Sequence, residues 1–214
     1  MSFASDATPE GSNQSPPLEN FDAYSHDPWL ARAALRANVA AIAGAAADLG
    51  RFVGSAEAQH QAALANRHLP ELKTHDRYGN RIDAIEYHPS YHALMRRAFG
   101  CGLHSTAWKH EAGGFSARAV LFYLWNQLEQ GTACPVTMTF ASIPVLEHAP
   151  EIAREWRPKV LADAYDPRPA PLAAKAGVTI GMAMTEKQGG SDLRAVQTSA
   201  ERDLAGYRLN GHKW

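Results

Sequence analysis

The chain has 214 residues, 45% hydrophobic and 20% charged, which is enough apolar content for a buried core and excludes global disorder. Lys and Arg total 21 against 22 Asp and Glu, and the formal net charge of -1 gives no electrostatic basis for gripping nucleic acid or a membrane. The two cysteines, Cys101 and Cys134, form no CxxC pair, which excludes a zinc ribbon or a disulfide framework.

In chain order, residues 1–20 are expected to be a disordered tail, because Met1 to Pro17 is rich in Ser, Pro, Asn and Gln. No basic start is followed by an apolar run, and the Ala-rich stretch Val39 to Ala47 is too short to cross a bilayer. The expected location is therefore cytoplasmic, with no membrane contact. Asp27-Pro28 is an N-cap followed by a first-turn proline. Trp29, Leu30, Ala33, Ala34, Ala37, Ala41 and Ala45 then recur at helical spacing, with Gly50 as the expected stop. Pro89 to Phe99 predicts another helix, closed by Gly100. Phe115 to Gln130 predicts the clearest one, with Val120, Leu121, Leu124 and Leu128 on one core-facing stripe. Two short helices follow, around Phe140 to Leu146 and Ile152 to Leu161, limited by prolines at 144, 150 and 158.

After Asp166-Pro167-Arg168-Pro169 the pattern changes. Val178 to Met184 reads as a strand and Gln197 to Arg202 as a second. Tyr207 to Leu209 leads into Asn210-Gly211, a two-residue hairpin signal, with His212-Lys213-Trp214 opening a return strand. A sheet that stops there has open edges, so the β portion is expected to be incomplete. The fold class is α+β: a helical domain over 21–171, then the truncated start of a β-barrel-like middle domain over 172–214.

The chemistry sits in Gly181 to Asp192, a strand entering a glycine loop with hydroxyls at both ends. Gly189 and Gly190 let a ligand approach the backbone closely, and Thr185 and Ser191 offer donors and acceptors. From pattern alone, an ordinary tight loop is the commoner outcome. His88 and His92, four apart, lack a third ligand and any HExxH, so no metal site is expected. His104, Trp108 and His110 are expected in packing roles. Cys134 is expected as a small buried residue.

The wording Met184-Thr185-Glu186-Lys187-Gln188-Gly189-Gly190-Ser191-Asp192 resembles the flavin-binding signature of the acyl-CoA dehydrogenase superfamily, in its AidB (adaptive alkylation-response) branch. Tyr207 to Trp214 resembles that superfamily's hairpin ending in Lys-Trp, and Leu69-Pro70-Glu71-Leu72, Phe99 to Trp108 and Cys134 to Ala141 agree with the same branch. The resemblance implies FAD as cofactor and Met182, Ala183, Met184, Thr185, Gly190, Ser191 and Trp214 as its contacts, with Trp214 equally open to a plain packing role. It implies α,β-dehydrogenation of acyl-CoA thioesters by a full-length homo-oligomer. The carboxylate base belongs to a C-terminal domain that this chain lacks, so no catalytic residue is assigned, and Glu186 is expected to be structural. The chain is expected to be an N-terminal fragment, inactive alone. The alternative implied by the same branch is a DNA-binding alkylation-damage protein with a mainly structural FAD, its DNA contacts lying in the missing C-terminal region.

Overall fold

A computed structural model describes residues 13–214 apart from 110, 111 and 205, and apart from the side chain of residue 40. Eight α-helices and two two-stranded antiparallel sheets occur among the described residues. The chain divides into two compact units: one runs to Leu94 and includes Phe115–Gln130, and the other comprises Met95–Gly114 with Gly131–Trp214.

In the first unit, α1 (Pro28–Arg36) starts as its sequence requires: Asp27 Oδ1 accepts from Trp29 N at 3.0 Å and Leu30 N at 2.9 Å. The expected single long helix is broken. Asn38 takes a left-handed φ of 54°, a short 3₁₀ turn follows, and α2 (Ala43–Val53) begins afresh. Ala33, Ala37, Ala41 and Ala45 are exposed, while Leu30 and Ala34 of α1, Ile42 of the 3₁₀ turn, and Ala46 and Leu49 of α2 are buried.

Gly50 does not stop α2; it lies inside it. A Cβ there would come within 2.5 Å of Asp22 Oδ1 and 2.7 Å of Tyr24 N. At Gly54, the C-cap, a Cβ would overlap Phe21 O. The two glycines let residues 20–24 lie directly on the helix, with Asn20 N donating to Gly54 O and Ala23 N to Gly50 O. Gln59 Nε2 also donates to Leu18 O at 2.9 Å, so the end of the expected tail is anchored. Residues 1–12 lie outside the described residues.

Helix α3 (Ala56–Arg67) is capped by Ser55 and has no counterpart among the sequence expectations. Nor has the hairpin β1 (Glu71–His75) and β2 (Arg81–Glu86), whose turn is organised by Asp76 accepting from the amides of Tyr78 and Asn80. Gly79, at φ 85°, supplies the left-handed residue of that turn. These strands are short, interrupted by charges and set inside a helical region, so they carry little periodic signal. Helix α4 (Pro89–Gly100) runs on into the second unit. Helix α6 (Gly114–Asn126) buries Val120, Leu121, Leu124 and Trp125, and Trp125 stacks on Phe52 with centroids 6.2 Å apart. It ends four residues before the expected Gln130 and leaves Leu128 half-buried.

In the second unit, α4 gives way to Gly102, whose φ of 71° makes it the left-handed residue that ends the run, rather than Gly100. The short α5 (Thr106–Lys109) follows. Helix α7 (Ala133–Leu146) is longer than expected, because Pro135 sits in its first turn and Pro144 in its last. Pro144 has no N–H, so the helix cannot supply that donor to the Phe140 carbonyl. Trp108 Nε1 donates there instead, at 2.9 Å. Helix α8 (Pro150–Val160) likewise holds Pro158 in its final turn. Ile143, Val160 and Val178 form a buried cluster, covered by Trp108, Trp156, Leu161 and Ile180 among others. His104 is buried, stacked 4.0 Å from Phe99, with its Nε2 donating to Ala162 O at 3.1 Å. Asp163 accepts from Ser105 Oγ at 2.9 Å and Lys109 Nζ at 2.6 Å; burial pushes its carboxyl up, and these donors outweigh that and hold it low. His110 lies outside the described residues. Cys134 is exposed, not buried, because the first turn of α7 turns it outward.

Strands β3 (Ser199–Asp203) and β4 (Gly206–Asn210) pair directly, Ser199 opposite Asn210. The chain therefore reverses between Asp203 and Gly206, not at Asn210-Gly211.

Candidate functional site

Residues 178–184 do not form a ladder. Alternate amides are taken by the helices instead: Val178 N donates to Lys159 O, Ile180 N to Thr139 Oγ1 at 3.2 Å, and Met182 N to Met138 Sδ at 3.4 Å. That period of two is the one a strand would show, so the expected extended run is present but its partners are α7 and α8. Met182 is 41% exposed and Met184 51%. The amides of Ala183, Met184 and Thr185 have no partner among the described residues.

Beyond Thr185 the chain closes on itself. Glu186 and Gly189 exchange backbone hydrogen bonds at 3.0 Å each. Gly190 then lies so near Thr185 that a Cβ would come within 2.8 Å of Thr185 Oγ1. Asp192 caps the following 3₁₀ turn, 193–195, through Arg194 N. Ser191 is exposed. Trp214, 78% exposed, donates its amide to Thr185 O at 2.8 Å, so His212 to Trp214 returns beside the strip without entering a ladder. Of the seven residues expected to contact flavin, the structure brings Thr185, Gly190 and Trp214 together, with Met182, Ala183 and Met184 on the same stretch and Ser191 next to Gly190.

At the centre is Glu186, only 4% exposed. Its Oε2 accepts from Gln188 Nε2 at 2.5 Å and Gln197 N at 2.8 Å. Its Oε1 accepts from Thr198 N at 3.0 Å, Thr198 Oγ1 at 2.6 Å and Lys213 Nζ at 2.8 Å. The Gln197 amide, the Lys213 ammonium and Thr198 hold its carboxyl far below the usual carboxylate range. Lys213 Nζ also donates to Met184 O at 3.0 Å. Gly211 fits because any Cβ there would overlap Thr198. Glu186 and Lys213 are both plain in the sequence, but their separation of 27 positions gives no sign of contact. A cavity of about 240 Å³ opens beside the loop, lined by Lys187, Gln188, Thr198, Asn210 and His212 among others; none of the expected flavin residues lines it.

His88 and His92 do not converge: His88 stacks on His68, centroids 4.6 Å apart, while His92 meets Tyr87 and Tyr91 edge-on. Among the described residues no group of three or more His, Cys, Asp or Glu is arranged to hold a metal ion. No helix among them is long and apolar enough to cross a membrane.

The family model described as "Adaptive response protein AidB N-terminal domain" matches residues 13–167. The chain belongs to that family. It is 41% identical over 206 residues to the "Putative acyl-CoA dehydrogenase AidB" of Escherichia coli (strain K12), covering 94% of this chain and 38% of that protein. It is 28% identical over 176 residues to "Acyl-CoA dehydrogenase family member 11" of Caenorhabditis elegans, covering 79% of this chain and 28% of the relative. The chain thus spans about a third of the length of the curated relatives it matches. Two solved structures share its fold at 24% identity. ACDH-11 of Caenorhabditis elegans, in complex with C11-CoA, has a TM-score of 0.80 over 99% of this chain and 36% of its own. Bd2924, in its apo form, has a TM-score of 0.75 over 94% of this chain and 41% of its own. The α+β class, mostly helical before a short β portion, accords with these neighbours, and the AidB resemblance read from the sequence is borne out.

Proposed function

We propose that this chain supplies one wall of an FAD site in an acyl-CoA dehydrogenase-like protein, with Met182, Ala183, Met184, Thr185, Gly190, Ser191 and Trp214 along the flavin. The observation that carries this is the strip itself: exposed thioether and indole side chains beside three amides without protein partners among the described residues. A planar heterocycle with a polar edge asks for that combination of apolar surface and fixed donors. Gly190 keeps the approach to Thr185 open, because a side chain there would fill it. Bound FAD would supply a two-electron acceptor for oxidation of a thioester's CH–CH bond. The protein's own contribution would be to orient the ring and donate hydrogen bonds from residues 183–185.

The substrate class follows from the relatives' names and from the C11-CoA held by ACDH-11: an acyl-CoA thioester. No residue among those described is given the role of base. Cytoplasmic location and homo-oligomeric assembly of the full-length protein belong to the same reading. With a formal net charge of -1 these residues have no electrostatic grip on DNA of their own, and the DNA-binding alternative rests on a different part of the full-length protein.

Titrating FAD into the purified chain, followed by flavin fluorescence, tests the reading. Weak saturable binding is expected, at about micromolar concentrations or above. Met184→Lys should weaken it about tenfold or more, since an ammonium would have to be desolvated under the ring. Absence of saturable binding up to about 1 mM FAD, equivalent to less than about 4 kcal/mol, would refute the site.

A further inference from the structure

We propose that Glu186 is the positioning residue of this strip: its carboxylate ties the loop after Thr185 to the segment carrying Trp214, so that Gly190 and Trp214 are both held against Thr185. The consequence for a cofactor rests on the flavin reading; the geometry does not.

Five donors converge on one carboxylate, and they come from three separate stretches of chain: Gln188, Gln197 with Thr198, and Lys213. A carboxylate can receive them, because it carries about four lone-pair sites and no proton, with two of the three donors on Oε1 sharing a site. A neutral amide of the same shape cannot. Its NH₂ would face at least one of the Gln197 and Thr198 amides, donor against donor. The β3–β4 ladder joins the second and third stretches to each other, but among the described residues no ladder ties either of them to the loop after Thr185. Residues 187–195 and 197–214 are exposed or half-buried wherever they are described, and no apolar cluster among the described residues holds them. Lys213 adds a second tie, since its ammonium spans Glu186 Oε1 and Met184 O, fixing the residue before Trp214 to the strip's own backbone. The hydrogen bond from Trp214 N to Thr185 O completes the clamp. A carboxylate used only for bulk stability would not need to reach the loop, the strand entry and the returning tail at once.

The test compares wild type with Glu186→Gln, Glu186→Asp and Lys213→Met. Amide hydrogen exchange is followed by NMR, with FAD affinity measured on the same samples. In Glu186→Gln the amides of Gln197, Thr198 and Trp214 should exchange at least about tenfold faster, and FAD should bind about tenfold more weakly. Glu186→Asp, which keeps the charge, should recover part of both. Lys213→Met should release Trp214 while Gln197 and Thr198 stay protected, a pattern that general loss of stability does not produce. Amides in α6 serve as the internal control and should be unchanged in all three. Wild-type exchange rates at Gln197, Thr198 and Trp214 in Glu186→Gln would overturn the assignment, as would an FAD affinity equal to wild type. Should the wild-type chain take up no FAD, the proposed function falls, while the exchange rates still decide the role of Glu186.

Discussion

Gly54→Ala should destabilise the protein, against the usual sign for such a change. Gly54 has φ -79°, a conformation alanine adopts freely. Judged on backbone alone, the substitution should stabilise by about 0.4–1 kcal/mol, because alanine has less freedom to lose on folding. The packing argument points the other way. The new methyl would overlap Phe21 O and come within 2.8 Å of Phe21 C, and backbone atoms cannot swing aside as a side-chain tip can. Residues 20–21 would have to lift off the helix. That breaks the bonds from Asn20 N and Phe21 N to Gly54 O, and from Ala56 N to Asn20 Oδ1. Three hydrogen bonds at about 0.5–1.5 kcal/mol each outweigh the entropic gain, for a net loss of about 2 kcal/mol. Gly44, near the start of the same helix, is the matched control, because a methyl placed there would meet nothing within 4 Å. Gly44→Ala should stabilise by about 0.5–1 kcal/mol. Urea denaturation of both variants, read by far-UV circular dichroism, gives the comparison. Equal stabilisation by the two alanines would refute the close-approach argument for Gly54.

Three further outcomes are expected. Trp125→Ala removes a fully buried indole stacked on Phe52 and should cost about 3–5 kcal/mol in denaturant unfolding; a loss under about 1 kcal/mol would mean the site is not a packed core. Trp108→Phe keeps an aromatic ring but loses part of the indole's volume and deprives Phe140 O of its donor, and should cost about 1–3 kcal/mol, whereas a neutral result would show the proline-freed carbonyl finds another donor. Glu186 has a folded pKa below that of a free glutamate, so its contribution is fully present above about pH 4.3 and is lost as the pH falls through the lowered folded value. The Thr198 amide should therefore keep its protection from pH 7 to about 5 and lose it only in more acid solution; loss between pH 7 and 5 would contradict the network.

Much of the site's location is legible in the sequence, because it depends on local chemistry. Asp27-Pro28 announces a helix start wherever it sits, and the structure shows Asp27 capping as expected. The glycine loop at 189–190 and the extended run before it are also visible. Glu186 reads as structural but not as a hub, since its partners lie up to 27 positions away and exposed strands offer no periodic signal for them. The strand over Val178 to Met184 misleads for a related reason. Periodicity shows that alternate amides need partners but not whether a neighbouring strand or a helix provides them. The Asn210-Gly211 signal misleads because Gly211 is required by the nearness of Thr198, not by a tight turn.

The amino-acid order by itself determined the caps, the apolar stripe of α6, the passage from helical to extended chain near residue 170, and the glycines of the loop after Thr185. Those features act through neighbours within a turn or a strand, so the local chain carries all the information they need. The tertiary structure alone decided that Gly50 and Gly54 receive another segment, that Pro144 leaves a carbonyl for Trp108, and that Glu186 gathers donors from three stretches onto one carboxylate. Each of these is a contact between distant positions, and steric exclusion and hydrogen-bond satisfaction operate only once the folded chain has brought such positions within a few ångströms.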